Sequence, residues 1–127
     1  MPADNTQPRQ TTLGGGDAAD RHVNGRATLT AVGGGTRVFL DVSGVPPGAR
    51  AEARIHYGTC SDLAHLSASS ASLPNLRANA KGRARATGRV LTAMQRQNVR
   101  LAVLADGHHV IVIVLPGRGL VACGTIP

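Results

Sequence analysis

Glycine and proline interrupt this chain so often that there is little room for a long helix. The 127 residues include 16 Gly and 7 Pro, and both residue types mark turns. The apolar residues are mostly Val, Ala, Leu and Ile, because the chain has one Phe, one Tyr and no Trp. Val and Ile favour strands. The composition therefore predicts a single all-β domain, a sandwich or barrel of short strands around an aliphatic core.

Alternating polar and apolar residues locate the first strands. Alternation runs over residues 26–31 and again over 36–43, with the turn Gly33-Gly34-Gly35 between them, which predicts a hairpin. Residues 50–57 predict a third strand with two distinct faces. In it, three apolar residues and Tyr57 alternate with the polar residues Arg50, Glu52, Arg54 and His56.

The second half of the chain predicts a helical turn at 91–97 and further strands at 81–90, 99–104, 109–115 and 120–126. Asp106-Gly107 stands between two apolar runs, a signal that is typical of a tight hairpin. About seven to eight short strands with frequent turns indicate a Greek-key β-sandwich or flattened barrel.

The first 22 residues lack apolar periodicity, and we expect them to form a flexible leader before a folded domain at 23–127. No signal peptide and no apolar run long enough to span a membrane is visible. We interpret the polar start as that of a mature exported protein, although a cytosolic N-terminus would look the same.

Positive charge is concentrated in one part of the sequence. The formal net charge is +7, and no acidic residue lies between Asp62 and Asp106. That stretch carries seven basic residues: Arg77, Lys81, Arg83, Arg85, Arg89, Arg96 and Arg100. An excess of this kind predicts anionic partners rather than a fold.

Arg83, Arg85 and Arg89 lie on one predicted strand and are the candidate anion-binding residues. A solvated basic face without a partner is the favoured interpretation. If the face does bind a partner, an acidic cell-envelope polymer or a lipid head group is expected. Specific nucleic-acid binding is not expected, because single-strand binders add aromatic stacking platforms and the stretch has no aromatic residue.

The sequence shows no arrangement typical of an enzyme. Glu52 is the only Glu, and no Ser, His and carboxylate stand in a recognisable nucleophile pattern. Cys60 and Cys123 make one possible disulfide. Two free, buried thiols in a reducing compartment are the alternative.

Three segments resemble the copper–zinc superoxide dismutase superfamily, including its copper-only and chordin-type relatives. They are LDVSGVPPGARAEARIHYGTC at 40–60, LPNLRANAKGRA at 73–84 and LVACGTI at 120–126. The resemblance implies an eight-stranded Greek-key sandwich in which Cys60 is bonded to Cys123. A disulfide in turn implies an extracytoplasmic location, in a periplasm, on a cell surface or secreted.

The positions that carry metal in that family match poorly. The family's His-x-His falls on Arg54-Ile55-His56, and a guanidinium is no metal ligand. His65 stands near the position of the metal-bridging histidine. The late copper ligand falls on or near Ile113, with His108 and His109 lying before it. The family's active-site arginine falls on Leu120, two residues after Arg118.

The candidate metal ligands, for copper or zinc, are therefore His56, His65 and His109, each with a surface histidine as the alternative. We expect no cofactor and no dismutase activity, so the leading hypothesis is an exported binding or structural module of the cell envelope. The alternatives are a divergent copper-binding protein or superoxide dismutase, and a polyanion-binding protein. Family members often form homodimers, but no sequence feature marks a dimer face.

Overall fold

The computed structural model of the protein describes residues 7–14, 23–62, 66 and 68–127. Within them the chain forms two antiparallel sheets and one short helix. In chain order the elements are β1 (Arg9–Leu13), β2 (Asn24–Val32), β3 (Gly35–Ser43), β4 (Arg50–Tyr57), β5 (Ser69–Ser72), β6 (Leu76–Arg77), β7 (Ala84–Arg89), β8 (Leu91–Thr92), α1 (Leu101–Leu104), β9 (His109–Leu115) and β10 (Gly119–Thr125). The prediction of an all-β sandwich is confirmed.

The two sheets share the chain in an interleaved order. One has four strands in the order β1-β2-β3-β7, and the other has the order β10-β9-β4-β5-β8, with β6 also pairing with β4. The chain therefore crosses between sheets after β3, before β7 and again after β7. The predicted hairpin of β2 and β3 is confirmed, and Gly33 and Gly34 have φ values of +52° and +81° in its turn.

Aliphatic side chains from both sheets fill the space between them. Leu29 and Leu40 come from the four-stranded sheet, and Ile55, Ile111 and Ile113 come from the other; all five are fully buried. Val, Ile and Leu bury a large apolar area with well-defined rotamers. The sandwich therefore closes without an aromatic residue in its core.

Two predicted elements differ in the structure. Residues 101–104, expected within a strand, form helix α1, because Leu101 and Leu104 are buried while Ala102 and Val103 are exposed. That spacing of three fits one face of a helix and cannot lie on one face of a strand. The expected helical turn at 91–97 is instead the short strand β8 followed by a turn that closes with a hydrogen bond from Thr92 N–H to Gln97 O.

The expectation of a flexible leader does not hold for β1. This strand pairs with β2 along its whole length, and Leu13 is fully buried. Gly14 exchanges two backbone hydrogen bonds with Cys123 of β10, at N···O distances of 3.1 and 2.9 Å. The Thr11 hydroxyl also donates to Thr125 O at 2.6 Å. The strand thereby links the two sheets along one edge, whereas residues 1–6 and 15–22 lie outside the described part.

No helix in the part of the chain that the structure describes is long and apolar enough to cross a membrane.

Candidate functional site

A disulfide joins Cys60, just after β4, to Cys123 in β10, with the two Cα atoms 5.8 Å apart. The predicted pairing is confirmed. The bridge lies on the outward face of the six-stranded sheet, where Val110 and Val112 form a second apolar cluster with both half-cystines and with Leu66. The segment after β4 is therefore held against this face by a covalent bond and by apolar contacts.

The candidate metal ligand His56 lies on this outward face. It is half-buried and stands opposite Val110 of β9, while Arg54 stands opposite Val112 and forms an ion pair with Glu52. His65 lies outside the described residues. The family's late copper ligand falls on or near Ile113, and the Ile113 side chain is buried in the main core. The β9 side chains that share a face with His56 are therefore valines.

His109 lies on the other face of the same sheet. It stands opposite Tyr57, one residue out of phase with His56, and neighbouring residues of a strand point to opposite faces. Its Nδ1 is 2.8 Å from Asp106 Oδ1, and its ring meets that of Tyr57 edge-on with centroids 5.4 Å apart. The structure does not bring His56 and His109 together. No group of three His, Cys, Asp or Glu side chains suited to a metal ion is present among the described residues.

The Asp106 carboxylate is held by its neighbours. Partial burial raises the pKa of Asp106. The hydrogen bonds from the His108 backbone N–H and from His109, together with the charges of both histidines, lower it by more, so the pKa lies below its usual value. Asp106 therefore orients the His109 ring at the end of the sandwich and fixes the turn that precedes β9. This arrangement anchors a buried imidazole against a carboxylate.

A second candidate site covers the outward face of the four-stranded sheet. Pairing of β3 with β7 puts Arg37 opposite Arg89, and Asp41 opposite Arg85. Pairing of β2 with β3 puts Arg26 opposite Asp41 as well. All of these residues point away from the core, because the residues that alternate with them along the three strands face the core. We name this surface the arginine face and define it by Arg26, Arg37, Arg83, Arg85, Arg89, Phe39 and Asp41.

Asp41 neutralises only part of this charge. It accepts two hydrogen bonds from Arg83, from Nε to Oδ1 at 2.9 Å and from Nη2 to Oδ2 at 2.7 Å, and Arg85 Nε lies 3.6 Å from Oδ1. The hydrogen bond from Arg83 lowers the pKa of the Asp41 carboxyl, and partial burial raises that pKa. The charges of Arg83 and Arg85 lower it as well, so the net shift is downward. Arg89 donates to the carbonyl of Val32 at 3.3 Å.

Two shallow depressions lie side by side on this surface and share Arg83. The first has a volume of 540 Å³ and is lined by Gln10, Thr12, Asn24, Gly25, Arg26, Thr28, Phe39, Asp41, Ser43 and Arg83. The second, of 450 Å³, is lined by Arg77, Asn79, Lys81, Arg83 and Arg85. Asn79 Oδ1 accepts hydrogen bonds from the backbone N–H groups of Lys81 and Arg83. Positive side chains therefore continue from the sheet onto the turn before β7.

Sequence reasoning found only the β7 side of this face. Arg85 and Arg89 lie on β7, and Arg83, which was expected on the same strand, comes one residue before it. Arg26 and Arg37 come from β2 and β3. The alternation of Arg37, Phe39 and Asp41 with buried residues was visible in the sequence. The pairing of β3 with β7, which lie more than forty residues apart, was not.

No family model matches the chain, and no curated protein matches it. The geometry of the two candidate sites therefore carries the functional argument.

Proposed function

We propose that this protein is a non-enzymatic β-sandwich binding module of the superoxide-dismutase-like type, which acts outside the cytoplasm and holds an anionic polymer on its arginine face. The observation that carries the proposal is the convergence of five arginines on one outward sheet face, where Asp41 is the single carboxylate among the residues that the structure describes. Such a face supplies affinity for a polyanion that does not depend on a specific sequence of the partner.

The family assignment rests on the three sequence segments and is supported by the order of the strands. The chain crosses between the sheets after β3 and around β7, and Greek-key sandwiches also connect their two sheets by such crossings. The disulfide supports a location outside the cytoplasm, since such bonds persist in oxidising compartments.

Dismutase activity is not favoured by the described residues. His56 and His109 lie on opposite faces of one sheet, and Arg54 occupies the position beside His56. A guanidinium has no lone pair to offer a cation. We therefore treat copper binding as the weaker hypothesis and test it separately.

The proposal is tested by measuring the affinity of the full chain for long-chain polyphosphate over a range of salt concentrations. Arg85→Ala/Arg89→Ala should weaken binding and reduce the slope of log affinity against log salt by about 2, one for each lost contact. The matched control is Arg54→Ala/Arg96→Gly, which removes the same charge from the opposite sheet and from the turn after β8. Glycine suits position 96 because Arg96 has φ +54°.

Loss of affinity in the first variant and not in the control is the expected result. Equal effects in the two variants would mean that the polymer responds only to net charge, and the arginine face would lose its role. Binding that does not change with salt would overturn the proposal as well.

A further inference from the structure

Phe39 is the one large apolar side chain on the arginine face, and it lies in the middle of that face. It is 41% exposed although it belongs to a central strand of the four-stranded sheet. Its cross-strand neighbours are the short side chains Thr28 and Thr87. A large part of the ring is therefore open to solvent.

Charged groups stand on both sides of this ring. The pair Arg37 and Arg89 lies two residues from Phe39 and Thr87 along the strands in one direction. The pair Asp41 and Arg85 lies two residues away in the other direction. A step of two residues along a strand is about 7 Å. The aromatic ring thus sits between two guanidinium clusters along a line that follows the strands.

The 540 Å³ depression is lined by Phe39 and by the charged side chains of Arg26, Asp41 and Arg83. Amide and hydroxyl side chains line the rest of it, from Gln10, Thr12, Asn24, Thr28 and Ser43. Amides and hydroxyls both donate and accept hydrogen bonds. Together with the ring they suit a partner that carries hydroxyl groups and has an apolar face of its own.

We infer that the arginine face takes an acidic polysaccharide, in which a pyranose ring packs its C–H face on Phe39 while carboxylates of neighbouring sugars pair with the flanking arginines. This inference rests on the proposed function and names the chemical class of its ligand. Arginine pairs with carboxylates through two parallel N–H···O bonds, and the amide and hydroxyl side chains accept and donate to sugar hydroxyls.

A single-stranded nucleic acid fits this face less well. Binders of that class stack successive bases on several aromatic side chains, and here one aromatic ring stands alone among the described residues of the face. A charged polymer without rings, such as polyphosphate, would use the arginines and gain nothing from Phe39. The contribution of Phe39 therefore separates the ligand classes.

The test compares Phe39→Ala with the wild-type full chain against four probes: polygalacturonate, neutral dextran, long-chain polyphosphate and poly(dT). Phe39→Ala should weaken polygalacturonate binding roughly threefold to tenfold, the range of aromatic contacts. This loss should exceed any loss of polyphosphate binding, because polyphosphate has no ring to pack on Phe39. Tyr57→Ala is the matched control, because Tyr57 is the other exposed aromatic residue and is 52% exposed at the end of the sandwich. Thermal unfolding of each variant checks that the fold is kept.

A second measurement does not depend on any variant. Titration of the wild-type protein with a short galacturonate oligomer should shift the backbone amide NMR signals of Thr28 and Thr87 more than those of β9.

The outcomes distinguish this inference from the proposed function. If Phe39→Ala binds polygalacturonate like the wild type while Arg85→Ala/Arg89→Ala loses it, the sugar contact is overturned and the anion-binding face stands. If neither variant changes binding, both are overturned. Tighter binding of poly(dT) than of polygalacturonate, with the larger loss in Phe39→Ala, would assign the face to nucleic acid instead.

Discussion

Arg37 of β3 and Arg89 of β7 stand directly opposite each other on the outward face of the four-stranded sheet. Like charges in directly opposed positions destabilise a sheet. In the described part of the chain, no acidic side chain pairs with either of them. If the arginine face binds an anion as proposed, an anion that bridges the two guanidiniums would relieve this repulsion.

Replacing one member of this pair should stabilise the protein. We expect Arg89→Glu to raise the free energy of unfolding by about 0.2–1 kcal/mol, because it turns a repulsive cross-strand pair into an attractive one. Urea unfolding in low salt measures the gain, and about 1 M salt should remove most of it, since the Debye length falls to about 3 Å. Arg96→Glu, with no opposed arginine, is the control; an equal gain there would show an effect of net charge alone.

The Asp41 carboxylate should stabilise the fold in a pH-dependent way. Its pKa in the folded state lies below the ordinary value of 3.8, so its stabilising effect is fully present above that pH and is lost as the pH falls through the lower, folded-state pKa. Asp41→Asn should therefore lower the melting temperature near pH 7, and the difference from wild type should vanish in strong acid.

The same variant has a second expected effect. Removing the one carboxylate of the arginine face should strengthen polyphosphate binding at pH 7, because Arg83 and Arg85 lose their counter-charge. Weaker binding by Asp41→Asn would contradict this and would mean that Asp41 orients the guanidiniums toward the ligand.

Reduction of the Cys60–Cys123 disulfide should lower the melting temperature markedly. The two residues are 63 apart in sequence, and closing a loop of this length contributes about 4 kcal/mol in the chain-entropy model. Differential scanning calorimetry with and without reductant measures the loss. The Cys60→Ser/Cys123→Ser variant should match the reduced protein and should not respond to reductant; an unchanged melting temperature would mean that apolar contacts alone hold the segment after β4.

Copper and zinc should find no shared site at His56 and His109. After equilibration with either metal, we expect less than one tightly bound equivalent and no dismutase activity. The effects of His56→Ala and His109→Ala on any residual metal affinity should be additive, since the two imidazoles lie on opposite faces of the sheet. One tightly bound copper with activity, lost in either variant, would contradict the described geometry and would direct attention to His65.

Local pattern predicted a large part of the fold. The alternation of Ala51, Ala53 and Ile55 with polar residues predicted both the limits and the buried face of β4, because side chains alternate across a strand wherever it runs. The glycines at 33 and 34 predicted the turn of the first hairpin for an equally local reason, since glycine adopts positive φ at little cost. Leu101 and Leu104 were misassigned because short apolar runs fit a strand or a helix turn equally well.

The candidate site depended on information that is not local. The sequence by itself determined a basic, aliphatic, all-β chain with one possible disulfide and predicted three arginines on one strand. Only the tertiary structure decided that β3 lies between β2 and β7, which brings Arg26, Arg37 and Phe39 to those arginines. Only strand register decided that His56 and His109 point apart, because a shift of a single residue moves a side chain to the other face of the sheet.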